Sequence, residues 1–151
     1  SLMIRASLNL RDDQVEAALA DVVEANRLSP GDVITESTVA LVHVRSGRVK
    51  SGIEYAEAVR EQVPSSGGPY YGWTLYNTAC VYGRAIELPD VSAADSEQFL
   101  ERAIELMHQA ADAGVHDEAH VLNDPDLVTL HNHPEWSSIL DQITTNEYKA
   151  E

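Results

Sequence analysis

ALADVVEANRLSP (residues 18–30) and GIEYAEAVREQVP (residues 52–64) end on prolines 34 positions apart and carry small or apolar residues at matching places. Twelve residues before each proline stands Ala18 or Gly52, eight before it Val22 or Ala56, and five before it Ala25 or Val59. Positions four and three apart share one face of an α-helix, so each stretch is a helix with a small-residue face built for close approach by a neighbour. A fixed period of this size, closed each time by a residue that breaks a helix, is the register of a stacked two-helix repeat. The face returns as Ala103, Met107 and Ala110, at an interval stretched by loops.

The remaining segments are read outward from these helices. Asp12 or Asp13 caps the first of them, which ends near Asn26 ahead of Pro30 and Gly31. Asp32 or Thr35 starts a second helix through Val39, Ala40, Leu41, Val42 and Val44; its valines make a buried strand the competing reading. Helix is preferred, because Gly47 sits where a tight interhelical turn is needed and the next helix, 49–62, follows in phase. PSSGGPYYG (64–72) reads as a loop, followed by a helix over 73–87 that groups Tyr76, Ala79, Cys80 and Gly83 on one face. A break at 88–97 precedes FLERAIELMHQAADAG (99–114), the clearest amphipathic helix, with Gly114 at its end. Beyond it come a short helix at 119–122, a turn in which Asp124 caps and Pro125 takes the first position, and WSSILDQI. There Pro134 repeats the device, and Trp136, Ile139, Leu140 and Ile143 cover the last core face.

A chain of 151 residues, 44% apolar, with one Phe and many alanines, fits a single soluble domain of helices packed through small side chains. Its 25 acidic against 10 basic residues give a formal charge of −15, which repels nucleic-acid phosphates and anionic lipid and makes a basic protein or peptide the natural charged partner. Cys80 is the only cysteine, so an internal disulfide or thiolate metal cluster is not available. No apolar run approaches the roughly 20 residues of a bilayer span, and no secretory leader is legible, so the expected compartment is the cytoplasm. Ser1 and Leu2 ahead of Met3 read as an expression remnant.

Ala18, Val22, Ala25 and Pro30, and again Gly52, Ala56, Val59 and Pro64, resemble the second helix of the tetratricopeptide repeat; Ala40 matches the small residue of the family's first helix. In a third unit Tyr76, Ala79 and Cys80 match the first helix, and Ala103, Met107 and Ala110 the second. The second half, roughly residues 76 to 140, is also similar to the terminal repeat region of planctomycete-type bacterial multidomain serine/threonine kinases, on Ala79, Cys80, Asp124, Pro125, Asp126, Leu127, Pro134 and Trp136. The resemblance implies an all-α, right-handed superhelical stack of antiparallel helix pairs. It would form one domain over residues 3–150, about three irregular repeats with capping helices from about 115. It also implies a linked enzyme domain in a longer natural chain. The chain itself lacks the glycine-rich nucleotide loop, the HRD-like segment and the DFG-like metal motif of a kinase.

Among candidate chemistries, His116 with His120 stand at helical spacing, and His131 with His133 lie near Asp124 and Asp126, yet no HExxH arrangement is present. Asp124 and Asp126 are explained as turn and helix-start residues, Cys80 as a packing residue, and Glu101 with Glu105 as a solvated face. Gly67 and Gly68 lack the rest of a phosphate loop. No catalytic residue, cofactor or metal is therefore expected. A binding groove remains, with Arg45, Tyr55, Tyr76, Asn77, Tyr82 and Arg84 as candidate peptide contacts. The expected function is a non-catalytic protein-interaction or scaffold module, one suited to regulating a linked enzyme domain. The alternative is a structural domain packed within a larger parent protein without transient ligands.

Overall fold

A computed structural model describes residues 2–11, 14–28 and 33–150, and no strand occurs among them. Eight α-helices are described: α1 Leu2–Arg11, α2 Val15–Leu28, α3 Val33–Arg45, α4 Val49–Gln62, α5 Pro69–Ile86, α6 Ala93–Asp112, α7 Glu118–Asn123 and α8 Trp136–Ala150. A 3₁₀ segment, Pro125–Leu130, lies between the last two. The caps assigned to Asp12, Asp13 and Asp32, and the stop at Pro30 and Gly31, lie outside the described residues. No helix among the described residues is long and apolar enough to cross a membrane.

The helices pack in chain order. α1 joins α2, α3 joins α4 and α5 joins α6, with α2 on α3, α4 on α5, and the first helices of successive pairs also touching. Three apolar clusters run along this series. Ala6, Ala18, Val22, Val39 and Val42 join α1, α2 and α3; Ala40, Val44, Ala56, Val81 and Ala85 join α3, α4 and α5; the largest unites α5 and α6 with the C-terminal elements.

This arrangement explains why the valine-rich segment is a helix. Its Val39 and Val42 face the first cluster while Ala40 and Val44 face the second, so α3 is buried on two sides. Each β-branched residue costs a helix a few tenths of a kcal/mol, whereas burying a valine returns about 1.5 kcal/mol or more, so packing overrides propensity. The repeated small-residue face points inward as its spacing requires: Ala18, Val22 and Ala25, Gly52, Ala56 and Val59, and Ala103, Met107 and Ala110 are all buried. At Gly52 a Cβ would lie 2.5 Å from Val44 Cγ2 and 2.8 Å from the Ala40 carbonyl oxygen, so glycine sets how closely α4 approaches α3.

Three helix starts differ from expectation. α5 starts at Pro69 rather than Trp73, because proline at the first helical position carries the backbone angle a helix needs and wastes no donor. α6 starts at Ala93, where the Ser92 hydroxyl accepts the Asp95 N–H at 3.1 Å, so the cap sits earlier than the apolar pattern suggests. Pro134, by contrast, lies in a turn ahead of α8 rather than at its first position; α8 opens at Trp136, whose N–H donates to the His133 carbonyl at 3.0 Å.

The C-terminal elements close the end of the series. Trp136, Ile139 and Ile143 are buried in the largest cluster, and each isoleucine withdrawn from water contributes roughly 1.5–3 kcal/mol. The Asn146 amide donates to the carbonyls of Ala111 at 2.7 Å and Val115 at 2.9 Å, which ties α8 to the end of α6 and the loop that follows it.

Candidate functional site

The Asp124–Leu127 turn is laid against α5 at Gly83, where any Cβ would run into the backbone oxygen of Asp126. Thr129 of the 3₁₀ segment donates to the Gly83 carbonyl at 3.1 Å, and Leu127 and Leu130 are fully buried. Asp124 Oδ1 accepts the Asp126 N–H at 2.9 Å, the helix-start role expected of it. Its other oxygen accepts the Tyr76 hydroxyl at 2.5 Å, with the Cys80 thiol 3.6 Å away.

Asp126 does more than open a turn. Its Oδ1 accepts Arg45 Nη2 from α3 at 2.9 Å and Arg84 Nε from α5 at 2.8 Å. The side chains of Asp126 and Arg45 are only 8% and 10% exposed, so this is a largely desolvated clasp joining three elements. Arg84 reaches in addition to Glu87 at 2.9 Å.

A second network lies between α4, α5 and α6. Glu57 accepts Arg60 Nε at 2.7 Å, the Tyr82 hydroxyl at 2.8 Å and Arg102 through Nε at 3.1 Å and Nη2 at 3.2 Å. Burial pushes the Glu57 carboxyl up, but the bonds from Arg60 and Tyr82 and the charge of Arg102 outweigh it and hold the group below its ordinary value. Burial, then Glu57, pushes the Tyr82 phenol up to about 12.

The six candidate peptide contacts therefore fall into different places. Arg45, Tyr76 and Arg84 converge on the Asp124–Leu127 turn, and Tyr82 belongs to the Glu57 network. Tyr76 is 2% exposed and Tyr82 8%, so neither ring offers surface to a peptide. Tyr55 is half-buried against the first two apolar clusters, and Asn77 is half-buried without a hydrogen-bond partner among the described residues. The clasp was not legible, since Arg45 and Asp126 are 81 positions apart. The helical spacing of Glu57 and Arg60 was the visible signal of the second network.

Cys80, Asp124 and Asp126 bring three potential ligand atoms within 4.8 Å of one another. A cation there would have to displace two guanidiniums from Asp126 and the phenol from Asp124. Burial, then the Asp124 and Asp126 charges, drive the Cys80 thiol well above its ordinary value, which keeps it protonated and poorly nucleophilic. Burial also raises the Tyr76 phenol, with Cys80 and Asp124 adding to it. The histidines disperse: His131 stacks on Trp136 at 4.8 Å, His133 meets Glu101 at 3.2 Å, and His120 stands 4.0 Å from Asp124.

Two clefts lie outside these networks. One of about 420 Å³ is bordered by Ser65, Tyr71, Trp73, Val115 and His116, at the start of α5. A larger groove of about 720 Å³ runs between the α3–α4 turn and the α5–α6 loop. No protein-family model matches this chain, and no curated protein or solved structure matches it either.

Proposed function

We propose that this chain is a non-catalytic protein-interaction or scaffold module of tetratricopeptide-like helix pairs, stacked as a right-handed superhelix and working in the cytoplasm. The observation that carries the reading is the order of packing: each helix meets its chain neighbours, and the first helices of successive pairs touch. Such a quasi-linear series presents long edges and faces to partners. The polar clusters support the same view, because their charges are spent on one another and the buried thiol is held protonated.

The test is chemical cross-linking of the folded chain in native cytosolic extract, at low and moderate salt, with cross-linked residues located by mass spectrometry. Reproducible partners joined through a common surface are expected. A chain that captures nothing saturably would overturn the reading.

A second reading has its own observation. Leu8, Val23 and Leu28 on α1 and α2 are 50%, 60% and 59% exposed, the kind of apolar surface that another domain of a parent protein would cover. Under that reading the domain packs within a larger protein, and a linked enzyme of the kind suggested by the resemblance is the natural neighbour.

A further inference from the structure

The groove between the α3–α4 turn and the α5–α6 loop brings together charges of both signs that have no ion-pair partner among the described residues. Arg5, Arg27, Arg45, Arg60, Arg84 and Arg102 each have a carboxylate partner. Arg48, on one wall of the groove, has none among the described residues, although the chain carries 25 acidic residues against 10 basic ones. Across the groove Asp90 and Asp95 also lack an ion pair among the described residues, and all three side chains are exposed. Lys50 is offset by Glu54 at 4.0 Å.

The floor between these charges is apolar and held from beneath. Val49, Ile53 and Phe99 are half-buried and pack onto the core, and the Phe99 ring lies 5.7 Å from that of Tyr82. A fixed apolar strip with unspent charge of opposite sign on its two rims has the layout of a recognition site: the floor supplies binding energy and the rims choose the partner. A uniformly basic segment would meet Arg48, and a uniformly acidic one would meet Asp90, Asp95 and the −15 field of the whole chain. A volume of about 720 Å³ suits a few side chains rather than a folded surface.

We propose that this groove docks an extended peptide segment of mixed charge, with an apolar side chain seated over Phe99, a carboxylate on Arg48 and a basic residue on Asp90 and Asp95. The proposal rests on the interaction-module reading and gives it a place and a ligand chemistry. It replaces a wholly basic partner with one that carries both signs.

A random peptide library displayed on phage is selected against the folded chain. Enriched peptides are then titrated by fluorescence anisotropy and mapped by amide chemical shifts. The expected consensus is an apolar residue with an acidic residue on one side and a basic one on the other, with shifts concentrated at Gly47–Ser51 and Asp90–Asp95. Arg48→Glu should weaken binding about tenfold, and exchanging the peptide's acidic residue for lysine should restore affinity for that variant. Equal binding to Arg48→Glu and the parent chain, or shifts that map to another face, overturns the groove and leaves the interaction module standing. Failure to enrich any peptide also overturns the groove, while the cross-linking experiment judges the module separately.

Discussion

Replacing Asp126 by leucine takes away the carboxylate that two arginines share. Arg45, with a side chain only 10% exposed, loses its 2.9 Å contact, and Arg84, 22% exposed, loses one of 2.8 Å but keeps Glu87 at 2.9 Å. Removing one partner of a buried pair generally costs about 3–5 kcal/mol, because the remaining charge stays desolvated. Arg84 is partly solvated and retains a partner, and Asp126 is not the sole contact of Arg45, so the low end applies, and about 3 kcal/mol is expected. At a urea m-value of about 2 kcal/mol/M this lowers the unfolding midpoint by about 1.5 M. The companion variant, Asp126→Leu with Arg45→Leu, removes both charges and should recover part of the loss, for a coupling energy of about 1–3 kcal/mol. A midpoint shift under about 0.3 M, or a double variant whose loss equals the sum of its parts, would refute the clasp.

Two further predictions concern the second network and the seat of the turn. The folded-state carboxyl of Glu57 lies below its ordinary value of 4.5, so the stabilisation it provides is complete above that pH and is lost as the pH falls below it toward the folded value. Glu57→Gln should therefore cost about 1–2 kcal/mol near neutrality, and the gap from the parent protein should close in acid. A gap in urea unfolding that stays constant down to about pH 3 would contradict the assignment. Gly83→Ala drives a methyl group into the backbone of the 3₁₀ segment, whereas Gly52→Ala meets the Val44 side chain first and the Ala40 carbonyl oxygen less closely than Gly83→Ala meets that of Asp126. Losses of about 3 and about 1–2 kcal/mol are expected in that order, and thermal unfolding that ranks them the other way would show that the turn is not seated on α5.

The legible parts of this fold are those that repeat or that end a helix. The alanine and glycine positions before Pro30 and Pro64 mark buried faces because close helix packing admits few side chains, and α4 begins and ends where its pattern says. Asp124 and Pro125 open their turn as read, because capping depends only on residues two or three positions away. The earlier starts of α5 and α6 were hidden because a proline and a serine can serve equally a loop or a helix start. The candidate site was less legible still. Tyrosine and arginine look alike in sequence whether they face a ligand or a buried carboxylate, and the carboxylates that decide the matter for Tyr76, Tyr82 and Arg45 come from other elements.

Those carboxylates also bear on where a partner would bind. A guanidinium tied to Asp126 or a phenol tied to Glu57 must give up a desolvated bond before it meets anything new, so recognition through these groups would loosen the same contacts that hold α3, α4, α5 and the closing turn together. Arg48, Asp90 and Asp95 carry no such obligation, and the turn, the loop and the first turn of α6 that present them rest on a packed floor. A contact made there adds interaction energy without withdrawing any from the fold. On this chain, binding is therefore better served at the edge of the helix series than by the tyrosines and arginines committed to its interior.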